Sequence, residues 1–146
     1  MFKKVMLFLV TLLVMSAFAY AEDKFTISGE VIFSGDEDIY VSLLTYEAYK
    51  NYKKERPPAP FTQIFKANPE RKKTGRTPFK FVGVIKGSYF IISFIDENKN
   101  GKMDYDRWWF AEEPEISYKD VMFPGWYDVK FEVNKDITGI ELKYFE

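Results

Sequence analysis

From Phe25 to the C-terminus, apolar residues recur with a period of two. Tyr127, Val129, Phe131 and Val133 alternate with Asp128, Lys130 and Glu132, and Phe25, Ile27, Val31 and Phe33 share one face with Gly29 between them. Successive side chains of an extended strand point to opposite faces, so this pattern specifies half-buried strands and not amphipathic helices. Ile39, Val41 and Leu43 form another such run, and Phe61, Gln63 and Phe65 predict a short edge strand. Phe79 to Ile85 and Tyr89 to Ile95 predict a strand pair joined by Lys86-Gly87, and Ile140, Leu142 and Tyr144 close the chain. No long segment has helical period. About seven short strands with Gly, Pro and Asn turns predict an all-β fold, a single β-sandwich.

Two stretches interrupt the strands. Residues 47–60 are charged and end in Arg56-Pro57-Pro58-Ala59-Pro60, which suits one helical turn followed by a stiff extended connector. Residues 111–125 carry Glu112, Glu113, Pro114, Glu115 and then Pro124-Gly125. Loops of this length are often where function sits.

Residues 1–21 have the form of a secretory signal peptide. Lys3 and Lys4 precede an apolar run from Val5 to Val14, broken only by Thr11, and Ala19-Tyr20-Ala21 is a small-x-small cleavage site. The apolar run is shorter than the ~20 residues a spanning helix needs, so cleavage is expected rather than anchoring. The mature domain then covers residues 22–146, with a periplasmic or secreted location and no membrane span. Removing Lys3 and Lys4 from 21 basic side chains leaves 19 against 22 acidic ones, a net charge of −3. That balance gives no reason to expect nucleic acid as a partner. The chain has neither cysteine nor histidine. Disulfides, cysteine nucleophiles, histidine triads and zinc sites built on those ligands are therefore excluded.

The stretch most suggestive of chemistry is Asp96-Glu97-Asn98-Lys99-Asn100-Gly101-Lys102-Met103-Asp104. Oxygen-bearing side chains stand at positions 1, 3, 5 and 9 of a loop with glycine at position 6, the spacing with which a chain wraps Ca²⁺. Asp96, Asn98, Asn100 and Asp104 supply side-chain oxygens, Lys102 supplies its backbone carbonyl, and Asp106 is a further candidate. The loop departs from a helix–loop–helix calcium site in two ways. Position 12 is Arg107 instead of a bidentate glutamate, and the preceding Ser88–Ile95 reads as a buried strand. Two carboxylates without that glutamate predict a dissociation constant on the order of 10⁻⁵–10⁻³ M, suited to a structural ion outside the cell. The competing reading is a metal-free polar turn, since Asn-Gly is a common hairpin turn by itself.

The segment FKFVGVIKGSYFIISFIDENKNGKMD resembles the centre of prealbumin-like domains, a group that includes carboxypeptidase regulatory-like modules. Phe79, Phe81, Gly87 and Tyr89 match their F-x-F strand and G-x-Y opening, while ISGEVIF and VKFEVNKDITGIELKY are similar to their first strand and closing hairpin. The loop also resembles the calcium hairpins of integrin-type propellers, in which the position-9 aspartate binds directly. The prealbumin-like resemblance implies a seven-stranded Greek-key (Ig-like) sandwich and an accessory or binding role, with no activity attached.

Trp108 and Trp109 follow the loop, and Trp126 lies at a later loop–strand junction. These rings predict either a stacking platform for a glycan or core packing. Glu112, Glu113 and Glu115 read as a solvated loop, not a glycosidase carboxylate pair. The basic runs Lys50–Arg56 and Arg71–Arg76 read as solvated too. No catalytic residue is assigned. The sequence predicts an exported, calcium-stabilised, non-enzymatic binding or accessory module meeting a glycan or an envelope protein. The alternative is a structural subunit of an envelope complex.

Overall fold

The computed structural model describes residues 22–52, 61–106, 111–119 and 125–144. The signal-type segment, the proline-rich residues 57–60, and Trp108 and Trp109 lie outside the described residues.

Two sheets pack face to face. In the first, β4 (Arg76–Ile85), β1 (Lys24–Ile32) and β8 (Ile137–Lys143) lie in that order. In the second, β3 (Phe61–Phe65), β2 (Asp38–Leu44), β5 (Gly87–Asp96) and β6 (Glu115–Ser117) lie in order, and β7 (Phe131–Val133) pairs with the start of β5. The chain is an all-β sandwich, and β3 is the edge strand its short alternating run predicts. Strand β1 pairs antiparallel with β4 and parallel with β8. At Gly29 the β8 backbone comes so close that a Cβ would stand 2.1 Å from the Ile140 carbonyl oxygen, so glycine is required there.

The main core lies between the sheets. Ile27, Val31, Phe79, Phe81, Val84, Ile140 and Leu142 meet Ile39, Val41, Leu43, Tyr89, Ile91 and Ile95. Ser93, fully buried among them, is satisfied by Tyr144, whose hydroxyl bonds its Oγ at 2.9 Å.

The sequence pairing of β4 with β5 is corrected. Lys86 carries the chain from one sheet to the other, and the two strands face each other across the core. Strands β7 and β8 likewise belong to different pairings, β7 with β5 and β8 with β1, and do not form a closing hairpin. Apolar alternation specifies which face is buried, and a hairpin and a sheet-to-sheet crossing satisfy it equally.

The second correction concerns β2, whose alternating run predicted a half-buried strand; β5, read as a buried strand, is one. Every residue of β2 is buried, and β5 is buried from Tyr89 to Asp96, so the two central strands of the five-stranded sheet are covered on both sides. One end of the outer face is roofed by α1 (Tyr46–Tyr52), while α2 (Arg71–Thr74) precedes β4 elsewhere. The other helical turn of the roof is α3 (Trp126–Val129), where the alternating pattern predicted strand. Gly125 N–H donates to Asp128 Oδ2 at 3.2 Å, which closes that turn, and spacing of three places Trp126 and Val129 on Leu44, Phe90 and Ile92. The opposite end is roofed by the loop after β5. Its Met103 is 2% exposed and packs on Tyr40 and Phe94, whose rings stack at 4.6 Å.

Candidate metal centre

Strand β5 ends at Asp96, which is 1% exposed and lies directly opposite Asp38 of β2. The chain then reverses through two left-handed residues, Lys99 (φ 60°) and Gly101 (φ 75°). A Cβ on Gly101 would also stand 3.3 Å from the Tyr40 hydroxyl, so the loop lies close against the sheet at that point.

The sequence-predicted residues Asp96, Asn98, Asn100 and Asp104 are brought together. Asp96 accepts Asn100 N–H on Oδ1 (3.1 Å) and Gly101 N–H on Oδ2 (2.9 Å). Asn98 Oδ1 accepts Asn100 N–H at 3.0 Å, and Asn100 Oδ1 accepts Lys102 N–H at 2.8 Å. Both side-chain amides donate to Asp104 Oδ2, Asn98 at 2.8 Å and Asn100 at 2.5 Å. Lys102 itself is exposed, and Asp106 is half-buried beyond the loop.

The chain returns alongside. Glu112 N–H donates to the Asp104 carbonyl at 2.9 Å, Tyr105 bridges Ala111, and the Tyr105 hydroxyl bonds Glu115 Oε2 at 2.6 Å. Glu113, read as solvated from sequence, is only 6% exposed. Its Oε1 accepts the N–H groups of Glu97 (3.0 Å) and Asn98 (3.3 Å), which pins the entry to the loop.

The donor set suits a hard divalent cation: two carboxylates, two amide oxygens that each keep a second lone pair, and the Lys102 carbonyl. The two amide NH₂ groups lie against Asp104 and supply partial positive charge next to its carboxylate. Among the described residues no three acidic, histidine or cysteine side chains converge as a group able to hold an ion. The loop's set reaches five donors only by including amides and a carbonyl.

The neighbouring Asp38 is occupied differently. Lys66 Nζ lies 2.7 Å from its Oδ2 and Ala67 N–H 2.6 Å from its Oδ1. The Lys66 hydrogen bond holds the Asp38 carboxyl below its ordinary value, opposed by desolvation and helped by Ala67. Arg71, read as part of a solvated basic run, is 5% exposed. Its guanidinium donates to the carbonyls of Glu37, Phe65 and Lys66, tying the β1–β2 connection to the end of β3.

Trp126 is corrected from candidate platform to packing residue. It is 9% exposed, with its ring 5.2 Å from Tyr46 and 5.5 Å from Tyr49. Its neighbour Tyr127 is 83% exposed. Sequence alternation places Trp126 at a loop–strand junction and begins a strand at Tyr127. The spacing of three between Trp126 and Val129 was the available signal for the helical turn.

These features define the class: a two-sheet all-β sandwich with an Asp/Asn loop closed over one outer face. The chain belongs to the bacterial family DUF2141, described as "uncharacterized protein conserved in bacteria", whose model matches residues 38–141. That span includes the whole loop, the opposing Asp38 and the returning Glu113. No curated protein and no solved structure matches the chain significantly.

Proposed function

We propose that this protein is an exported β-sandwich of the prealbumin-like kind, stabilised by Ca²⁺ in the Asp96–Asp104 loop and serving as a non-enzymatic binding or accessory module. The observation that supports it most is the convergence of Asp96, Asn98, Asn100 and Asp104 in one loop seated on the sheet through Met103. Those residues share donors and acceptors already, so an ion needs little backbone movement to recruit them. The absence of histidine and cysteine from the sequence removes histidine- and cysteine-based catalysis. The basic start, apolar run and small-x-small site of residues 1–21 support export to the periplasm or beyond. In this reading the partner is a glycan or an envelope protein, and Trp108 and Trp109, which follow the loop in the sequence, are the candidate residues for binding it.

The experiment is a melting curve of the exported protein in chelator and in millimolar Ca²⁺. At a dissociation constant of ~10⁻⁵ M, millimolar calcium stabilises by about 2.7 kcal/mol. For a chain of this size that is a rise of roughly 10 °C. Identical curves refute the calcium reading. Magnesium should act weakly, because it demands a tighter octahedral shell and sheds water reluctantly.

A further inference from the structure

Glu113 is buried at 6% exposure, and its Oε2 has no hydrogen-bond partner among the described residues. Burial of a carboxylate oxygen without a partner is unfavourable and calls for an explanation, of which a bound ion is one. The surroundings of Glu113 favour a bound ion there over one at Glu37, whose Oε2 is buried in the same way but on the β1–β2 connection, outside the loop. Strands β5 and β6 pair Phe94 with Glu115, and the bond from Ile95 N–H to the Pro114 carbonyl (3.0 Å) continues the register. Beyond that bond the chain bends, and Glu113 reaches the residues just after Asp96 with its side chain, its Oε1 accepting from the N–H groups of Glu97 and Asn98. Asp38 faces Asp96 from the other side. Three carboxylates, Asp38, Asp96 and Glu113, are thus buried at the end of the sheet where the loop begins. Lys66 neutralises Asp38. The hydrogen bonds that Asp96 and Glu113 accept come from backbone N–H groups.

Ionised carboxylates buried near one another repel, and a cation bound between them relieves that repulsion. The loop also lacks a glutamate at its twelfth position, where Arg107 stands. Glu113 is tied to both ends of the loop: by its own side chain to Glu97 and Asn98, and through the Glu112 N–H to Asp104.

We infer that Glu113 is a direct ligand of the calcium loop, a carboxylate from the returning strand that takes the place of the missing position-12 glutamate. This rests on the calcium reading above. It requires the Glu113 side chain to swing about its own torsions, since the three carboxylates do not converge in this structure. The completed site would hold Asp96, Asp104 and Glu113 as anionic ligands. That charge favours Ca²⁺ and trivalent lanthanides over monovalent ions.

The test uses Ca²⁺ titration and Tb³⁺ luminescence lifetimes in H₂O and D₂O, which count water molecules on the bound ion. Glu113→Gln keeps an acceptor oxygen for the Glu97 and Asn98 N–H groups and removes the buried charge, so the chelated variant should melt no lower than the parent. A residue that only orients metal ligands also costs about 10–100-fold in affinity when replaced, so the water count decides. The expected result is affinity lowered at least about tenfold, together with at least one more bound water in Glu113→Gln. Glu113→Ala should show the same gain or a larger one. Weakened affinity with an unchanged water count overturns direct ligation, as does unchanged affinity. If the parent protein binds neither ion, the calcium reading itself fails. If the parent binds and the variants bind identically, only the role of Glu113 falls.

Discussion

Replacing Trp126 by alanine tests whether the outer face of the five-stranded sheet is a second core. The indole is 9% exposed and packs among Leu44, Phe90, Ile92 and Val129, with Tyr46 and Tyr49 against its ring. Loss of a buried tryptophan costs about 3–5 kcal/mol, including the cavity left behind. The ring pairs contribute on the order of 0.5–1.5 kcal/mol within that total. Trp126 stands on a single helical turn at the molecule's outer layer, and such a turn can settle inward, so the lower end applies: about 3 kcal/mol. With a urea slope near 2 kcal/mol/M, the unfolding midpoint should fall by roughly 1.5 M. Tyr127, the next residue, is 83% exposed and serves as control. Its replacement by alanine should stay within about 0.5 kcal/mol of the parent. A Trp126→Ala midpoint within about 0.5 M of the parent, or equal losses at both positions, would refute the packing assignment.

Gly101→Ala should destabilise the loop by about 1–2 kcal/mol, because Gly101 has φ 75° and a methyl there meets the Tyr40 hydroxyl; thermal melts in calcium would show it. Acid should weaken the fold through Asp38, whose carboxyl lies below its ordinary value of 3.8 because of Lys66. A carboxyl depressed in the folded state contributes stability that is full above the unfolded value and is lost as pH falls through the folded one. The parent should therefore lose stability below about pH 4 more steeply than Asp38→Asn, as measured by urea midpoints across pH. Intact mass of the exported protein should correspond to a chain beginning at Glu22; a full-length mass in the membrane fraction would favour an uncleaved anchor.

Much of the fold was legible because alternation reports which side chains face a core. Ile27, Val31, Ile39, Val41, Leu43, Phe79 and Phe81 all lie where their period places them. What alternation hides is connection. The chain around Lys86 crosses between sheets, and nothing in Phe79–Ile95 distinguishes that from a hairpin. It also hides a second buried face, because Asp38, Tyr40, Ser42 and Asp96 look polar enough for solvent. Their burial follows from the covering loop and helical turns, which are distant in sequence or only partly apolar. The loop itself was visible through its fixed spacing of oxygens around Gly101. Glu113 was not, since it comes from another segment and its neighbours Glu112 and Pro114 are exposed. Arg71 was hidden in the same way, inside the run Arg71-Lys72-Lys73, in which only the arginine turns inward to collect three carbonyls.

The measurement closest to the central claim is calorimetric titration of the protein with Ca²⁺, beside the double variant Asp96→Asn/Asp104→Asn. The loop's ligand set predicts one ion per chain in the parent, with a dissociation constant on the order of 10⁻⁵–10⁻³ M, and no saturable binding in the variant. A parent that takes up no calcium, or a double variant that binds as the parent does, would contradict it.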